Sequence, residues 1–352
     1  MASDDAAEPT GPDDRPDLAA RVVPDRRRRR PSAVGSWFAG VKELNILLAL
    51  IALGGFLSFA SPYFLTSSNL LGVTRAFSLT AIVAIGQTMV IITGGIDLSV
   101  GSVLALSGLS TGLLLGAGWP MLPAVVVGLL VGTLFGLVNG LLITKVGLPP
   151  FIATLGTLSI GRGLVYVLTQ GFPVTVSRDQ NGELIALGQG YLGPVPIPVI
   201  IMLAITVLGT IFLSQSTYGR YIYAVGGNEE AARLAGISTD RVKLLVYALS
   251  GTLSAVAGMI LLARLVSAQP SAGLGFELPV IAAAIIGGTS LLGGEGTVLG
   301  AVLGAAIIGF LENGMVLLNV NTYAQQAVTG TVIVVAVALD IWQKRRRARA
   351  RV

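Results

Sequence analysis

Gln87, Asp97, Ser99, Asn139, Arg162, Glu295 and Glu312 stand inside or beside long apolar runs of the chain. Polar groups so placed either hydrogen-bond a solute that passes among them or fasten neighbouring helices to one another. Catalysis is a poor use of them. The 352 residues include no Cys and no His, which removes thiolate nucleophiles, disulfides, imidazole metal ligands and the side chain that titrates most readily near neutral pH. The Asp and Glu residues are separated along the chain, so neither a metal site nor a paired acid and base is expected, and the chain is not read as an enzyme.

Position narrows some of these roles. A bare carboxylate at the bilayer centre costs about 2.5 to 3.5 kcal/mol, so Asp97 should face water, a partner or a helix N-terminus. Ser99, Ser102 and the amides after Gly94-Gly95 favour the last, which makes Asp97 the expected N-cap of the following helix; the alternative is a direct part in a solute pathway. Arg162 either snorkels, pairs with a carboxylate or touches solute. Gln87, Asn139 and Glu312 either glue helices together or contact solute, and Glu295 lies in a Gly-rich loop where it is either solvated or meets a partner chain.

A second group of residues is hydrophilic and contiguous. Within residues 214–243, Gly227, Asn228, Glu229, Glu230, Ala231, Ala232, Arg233 and Gly236 form a short helical pattern. Asn228 is the expected N-cap, Glu229 and Glu230 fall in the first turn where the helix dipole favours negative charge, and Gly236 is the expected stop. Asp240 is the expected cap of the helix that re-enters the apolar part. So short a helix gains little alone, being far below the roughly 12 to 15 residues at which an isolated helix is marginal in water. It is read as a docking surface held between the rest of the chain and a partner.

The elements that position these groups are transmembrane helices. The hydrophobic share is 53% and only 12% of residues are charged, about half the share usual in soluble domains. Apolar stretches long enough to cross a ~30 Å hydrocarbon core recur at 44–61, 76–93, 98–116, 121–143, 150–169, 196–213, 244–263, 277–292, 297–318 and 324–342. The expected fold is therefore all-α, a polytopic bundle of about ten transmembrane helices. Residues 44–342 make up this domain, preceded by a disordered tail at 1–33 and followed by a basic tail at 343–352.

About ten spans put both termini on one side. With that side cytoplasmic, every Lys and Arg except Arg75, Arg162, Arg178 and Arg264 falls in cytoplasmic segments, as the positive-inside rule requires. The net charge of +5 is thus topological and does not mark a nucleic-acid surface. A competing reading takes 44–60 as a cleaved signal peptide, with Ser58-Phe59-Ala60 at the cleavage site, and keeps the same orientation. Gly128, Gly132, Gly136 and Gly140 recur every fourth residue along one helix face, where they would let a neighbouring helix approach closely.

Several strings resemble a known family. Glu230-Ala231-Ala232-Arg233-Leu234-Ala235-Gly236 matches the Glu-Ala-Ala-x-x-x-Gly coupling motif of bacterial binding-protein-dependent ABC importers, and Ala224 to Asn228 resembles the ribose, xylose and galactose branch. The Ile-x-Leu-Pro part of the broader motif is not found at its usual spacing. The run Ile85 to Ser102, the run Pro149 to Gly156, Arg162-Gly163 and the run Gly287 to Thr297 are similar to signatures of the same permeases, in the expected order across about residues 45–340.

The resemblance implies a permease subunit in a bacterial inner membrane that pairs with a second permease subunit as a homodimer and engages a cytoplasmic ABC ATPase. It also implies a small sugar delivered by an extracytoplasmic binding protein, with the Gly227 to Gly236 group coupling to the ATPase. No cofactor is expected in this chain. ATP and Mg belong to the partner, because neither Gly-rich string carries the Lys that a Walker A loop needs. The alternative is an ion-coupled secondary transporter of a small polar solute, for which midplane ionisable groups are the usual equipment.

Overall fold

The computed structural model describes residues 33–349, so the expected tail at 1–33 lies outside the described residues but for its last position, as do residues 350–352. From Val41 onward the chain forms one packed unit. Its helices are α1 (Ala33–Ala60), α2 (Ser67–Ile92), α3 (Val100–Gly116), α4 (Met121–Thr144), α5 (Pro150–Thr169), α6 (Gly182–Gln189), α7 (Ile197–Gln215), α8 (Thr217–Gly227), α9 (Glu229–Leu234), α10 (Thr239–Leu265), α11 (Glu277–Ile286), α12 (Val298–Leu317) and α13 (Thr322–Arg349). Two-residue strands β1 (Val174–Thr175), β2 (Tyr191–Leu192), β3 (Val195–Pro196) and β4 (Ser267–Ala268) form two antiparallel pairs, β1 with β4 and β2 with β3.

Among the described residues seven helices are long and apolar enough to cross a membrane, those at 43–60, α2, α4, α5, α7, α10 and α12. The fold is a polytopic helical membrane protein. Helices α2 and α10 run through the middle: α2 packs on α7, α10, α11 and α12, and α10 packs on α2, α3 and α4. The α2 stretch from Ala81 to Ile92 is wholly buried. Large apolar side chains on α1, α5 and α7, such as Ile51, Val167 and Leu208, point outward and are exposed, as lipid contact demands.

The Gly ridge of α4 does what its spacing predicts. A Cβ on Gly140 would stand 2.9 Å from Leu244 Cα, and one on Gly136 would overlap the Tyr247 carbonyl, so the α4 and α10 backbones touch. Such contact replaces the hydrophobic drive that helices lack among lipid tails.

One expected span is corrected. The stretch 277–292 is helical only as α11, ten residues or about 15 Å, half of a ~30 Å core. Gly287 and Gly288 stop it, the latter at φ +86, where a residue without Cβ adopts the left-handed conformation freely. The chain reaches the start of α11 through a re-entrant segment, residues 266–276. It leaves the end of α10, pairs β4 with β1, and descends until Gly273 lies against Gly101 at the first turn of α3. The apolar stretch at 324–342 also extends further, since α13 continues to Arg349.

Candidate functional site

Gln87, Asp97, Ser99 and Asn139, picked out separately along the sequence, meet in one buried knot. Asp97 is 1% exposed, in the break between α2 and α3. Its Oδ1 accepts from Ser99 N at 2.9 Å and from Ser99 Oγ at 2.6 Å, and its Oδ2 accepts from Ser250 Oγ of α10 at 2.8 Å. Asn139 Nδ2 of α4 donates to Ser99 Oγ at 2.9 Å, and Thr157 Oγ1 of α5 donates to Asn139 Oδ1 at 2.6 Å. With its amide in the orientation that satisfies both atoms, Gln87 of α2 donates to Asp97 O and accepts from Asp97 N, each at 3.1 Å. Five segments are thereby tied at one point.

This differs from the expected cap. The N-cap of α3 is Ser99, and Asp97 sits two residues ahead of it, closing a turn onto the Ser99 amide. The turn frees the second carboxylate oxygen for Ser250, an acceptor that a simple cap would have left to solvent. Three donors on a buried carboxylate offset part of its desolvation, which is how such a group is tolerated there.

Arg162 makes no ion pair with a carboxylate among the described residues and turns to backbone instead. Its Nη1 donates to Pro270 O and to Ala272 O, both at 2.8 Å, and so satisfies two carbonyls of the re-entrant segment. Irregular backbone at membrane depth requires such partners. Glu295 lies in the 287–297 loop, its carbonyl accepting from Ser290 N at 2.9 Å, and Glu312 stands apart from the knot on α12, against a large cavity.

The short helix forms as predicted. Asn228 ends α8 and caps α9, its Oδ1 accepting from Ala231 N at 2.9 Å, and Glu229 and Glu230 occupy the first turn. Gly236 terminates the helix at φ +84, with its amide on Arg233 O and the Ile237 amide on Ala232 O, both at 3.0 Å. Asp240 does not cap α10, whose N-cap is Ser238; it pairs instead with Lys145 at 3.0 Å. Both carboxylate oxygens of Glu229 accept from Lys243 Nζ at 2.7 Å, and its Oε1 also accepts from Arg233 Nη2 at 3.4 Å, while Ala232 packs inward. Glu230, Arg233 and Leu234 remain exposed, Leu234 to 85%.

Beneath α9, helix α8 is clamped to the core. Gly226 lies so close to Ile92 O, the last turn of α2, that a Cβ there would overlap it, and Gly294 N donates to the same carbonyl at 2.9 Å. Tyr223 Oη donates to Gly296 O at 2.7 Å. Burial, with Glu43 adding to it, pushes this hydroxyl up to about 12, so it stays protonated and remains a donor. The sequence reading missed Tyr223, Ser250, Thr157 and Leu234. Only Leu234 carried a local signal, as an apolar side chain within a hydrophilic run.

Residues 69–337 match the family of permease components described as branched-chain amino acid transport system / permease component. The chain is similar to the ribose import permease protein RbsC of Haemophilus influenzae, 44% identical over 299 residues that cover 85% of this chain and 93% of that one. It is 38% identical over 324 residues to the D-allose transport system permease protein AlsC of Escherichia coli, covering 92% and 98%. The L-arabinose transport system permease protein AraH of Escherichia coli is 39% identical over 286 residues, covering 81% and 86%.

Proposed function

The chain belongs to the family of permease components described as branched-chain amino acid transport system / permease component, and from that premise we propose that it is the membrane-spanning permease subunit of an ATP-binding-cassette importer for a small sugar. It is a multi-pass protein of the bacterial plasma membrane. Sugar, rather than amino acid, is the cargo class because its near-full-length relatives carry ribose, allose and arabinose in their names. The same likeness disfavours the ion-coupled carrier.

The partners are a cytoplasmic ABC ATPase, an extracytoplasmic sugar-binding protein and a second copy of this chain, with both termini in the cytoplasm. The observation that carries the coupling assignment is the placement of α9. It is a six-residue helix, capped at both ends and exposed on the face of Glu230, Arg233 and Leu234, while its base rests on α8 and α10. Leu292, 78% exposed in the 287–297 loop, adds a second apolar contact at the same end. Large exposed apolar side chains beside charged ones suit a protein partner.

Mechanically, the ATPase presses on α9. The push passes through α8 to the end of α2 and to the 293–296 turn, and through the Lys243 to Glu229 pair to α10. α2 near its end and α10 near its middle both join the Asp97 knot, through Gln87 and Ser250, so the two rods move as one body. The rigid knot thus makes a surface displacement available to the re-entrant segment and α11. ATPase activity in lipid discs, with this chain, candidate ATPase subunits and a sugar-loaded binding protein, tests the assignment. Stimulation by the loaded protein that is lost on Gly236→Val supports it; failure of any ATPase to associate overturns it.

A further inference from the structure

A cavity of about 960 Å³ opens between α2, the start of α11, α12 and α13 at the end opposite α9. Its polar lining includes Asn69, Arg264, Glu312, Asn313, Gln325 and Gln326, and its apolar lining includes Val73, Leu278 and Ile333. Resting on the sugar-import reading above, we propose that this cavity is the extracytoplasmic half of the sugar's path, with Glu312 and Gln326 as the groups that bind sugar hydroxyls in transit.

Depth is the first argument. Ile333 lies eleven residues inside α13, about 16 Å along it, so the cavity reaches roughly the middle of a ~30 Å core. The second is hydration. The side chains of Glu312 and Gln326 make no hydrogen bond among the described residues, and a carboxylate and an amide so placed need water or a solute beside them. The third is the wall. Asn69 and Asn313 exchange two amide hydrogen bonds, 3.1 and 2.8 Å, closing the seam between α2 and α12 with both side chains consumed. The fourth is the broken helix: Leu274, Gly275, Leu278 and Pro279, where the re-entrant segment turns into α11, form one side of the cavity. Discontinuous helices at mid-depth are where membrane transporters place substrate, and this one is held by Arg162.

The chemistry suits a neutral polyol. A sugar offers hydroxyls at its rim and C–H groups on its faces, which match amides and a carboxylate set against aliphatic side chains. One anion and one cation leave no net charge to trap an ion. Beside it, a second opening of about 610 Å³ shares Val316, Thr322 and Gln325 with the cavity and carries Tyr323, 84% exposed, at the rim.

The absence of cysteine makes the test direct, since each single-cysteine variant has one thiol. Gln326→Cys and Glu312→Cys are made in the assembled transporter with its ATPase and binding protein, with Leu208→Cys, lipid-facing and 66% exposed, as control. A membrane-impermeant thiosulfonate is added from outside, and uptake of labelled D-ribose, D-allose and L-arabinose is compared with the same variant before labelling. The expected result is labelling at positions 326 and 312 at least tenfold faster than at 208, with uptake falling at least tenfold after a bulky adduct. Labelling as slow as the control, which is what a partner helix filling the cavity would give, overturns the proposal, and so does full labelling with undiminished uptake. If the parent chain takes up none of the three sugars and no ATPase responds, the import reading fails instead; fast external labelling would still mark a water-filled cavity, and the sugar assignment would fall.

Discussion

The Asp97 knot and the α9 platform are both polar features of an apolar protein, and they are built on opposite plans. The knot consists of short side chains, all buried, each bonded to another across segments up to 153 residues apart in sequence. The platform consists of sequence neighbours, with one capping side chain, one left-handed glycine and an exposed face on which the side chains of Glu230 and Leu234 make no hydrogen bond among the described residues. In the knot every polar atom that argues for function turns out to be spent on holding helices. In the platform the fold is finished by local means, and the residues left over are free for a partner. Polarity at membrane depth is therefore no guide to a transport path until its hydrogen bonds have been counted.

The strongest way to break this contrast is to cut the knot. Asp97→Ala leaves the Ser99 amide, the Ser99 hydroxyl and the Ser250 hydroxyl without their acceptor in a dry interior, a loss on the order of 4 kcal/mol at 1 to 3 kcal/mol per buried orphan. Thermal unfolding in detergent should show a much lower midpoint, with little protein recovered, and Asp97→Asn should recover part of it. A well-folded Asp97→Ala protein that fails to transport would return Asp97 to the solute path.

Gly236→Val comes next and should act on function alone. A β-branched residue at φ +84 is strained by about 1 to 2 kcal/mol, and the site is exposed, with open space around the glycine. The C-terminal turn of α9 should open, sugar uptake should drop at least tenfold, and the amount of inserted protein should stay near that of the parent. Leu234→Asp should follow, weakening ATPase association about tenfold in a titration while the unfolding midpoint stays put, because surface changes are commonly within about 0.5 kcal/mol.

What the sequence showed of this contrast follows the same line. The platform was legible because its signals are local: Asn228, two glutamates and Gly236 stand within nine positions of one another, and a cap and a stop are properties of neighbours. Most helices were legible from apolar length. The half-helix α11 was not, because the apolar run continues past Gly287-Gly288 to Leu292 and hydropathy does not register a left-handed glycine. Helix α8 was passed over as part of a hydrophilic stretch, although buried Ile222 and Val225 sit three apart. The knot could be suspected member by member but not assembled, since nothing near Asp97 in sequence names Ser250 or Thr157. The partners of Arg162 were not legible for a related reason: its acceptors are backbone carbonyls, which every residue has.

Tyr223 joins the two plans, being a platform residue whose bond reaches the loop before α12. Tyr223→Phe removes the hydrogen bond to Gly296 O, worth about 1 kcal/mol, and should lower the coupling of sugar uptake to ATP hydrolysis several-fold with little loss of stability. The hydroxyl's pH behaviour gives a second readout. Its value in the fold, about 12, is above the ordinary tyrosine value of 10.0, so its contribution is intact below pH 10 and is lost as pH rises toward 12. Stability measured from pH 10 upward should fall less steeply in the Phe variant.

The smallest effect should come from Lys243. Its ammonium touches both oxygens of Glu229 at 2.7 Å, but Glu229 is also met by Arg233 at 3.4 Å, and pairs this close to solvent are worth about 0.2 to 1 kcal/mol. Lys243→Gln keeps a donor in reach, so uptake should change by no more than about twofold and the unfolding midpoint should not move. The value of so small an expectation lies in its exception. If uptake fell tenfold with stability unchanged, that one pair would be a lever through which α9 turns α10, and the platform would depend on a single bond as sharply as the knot depends on Asp97. Locally capped α9 would then be incomplete without a long-range tie, and the two regions would follow one plan after all.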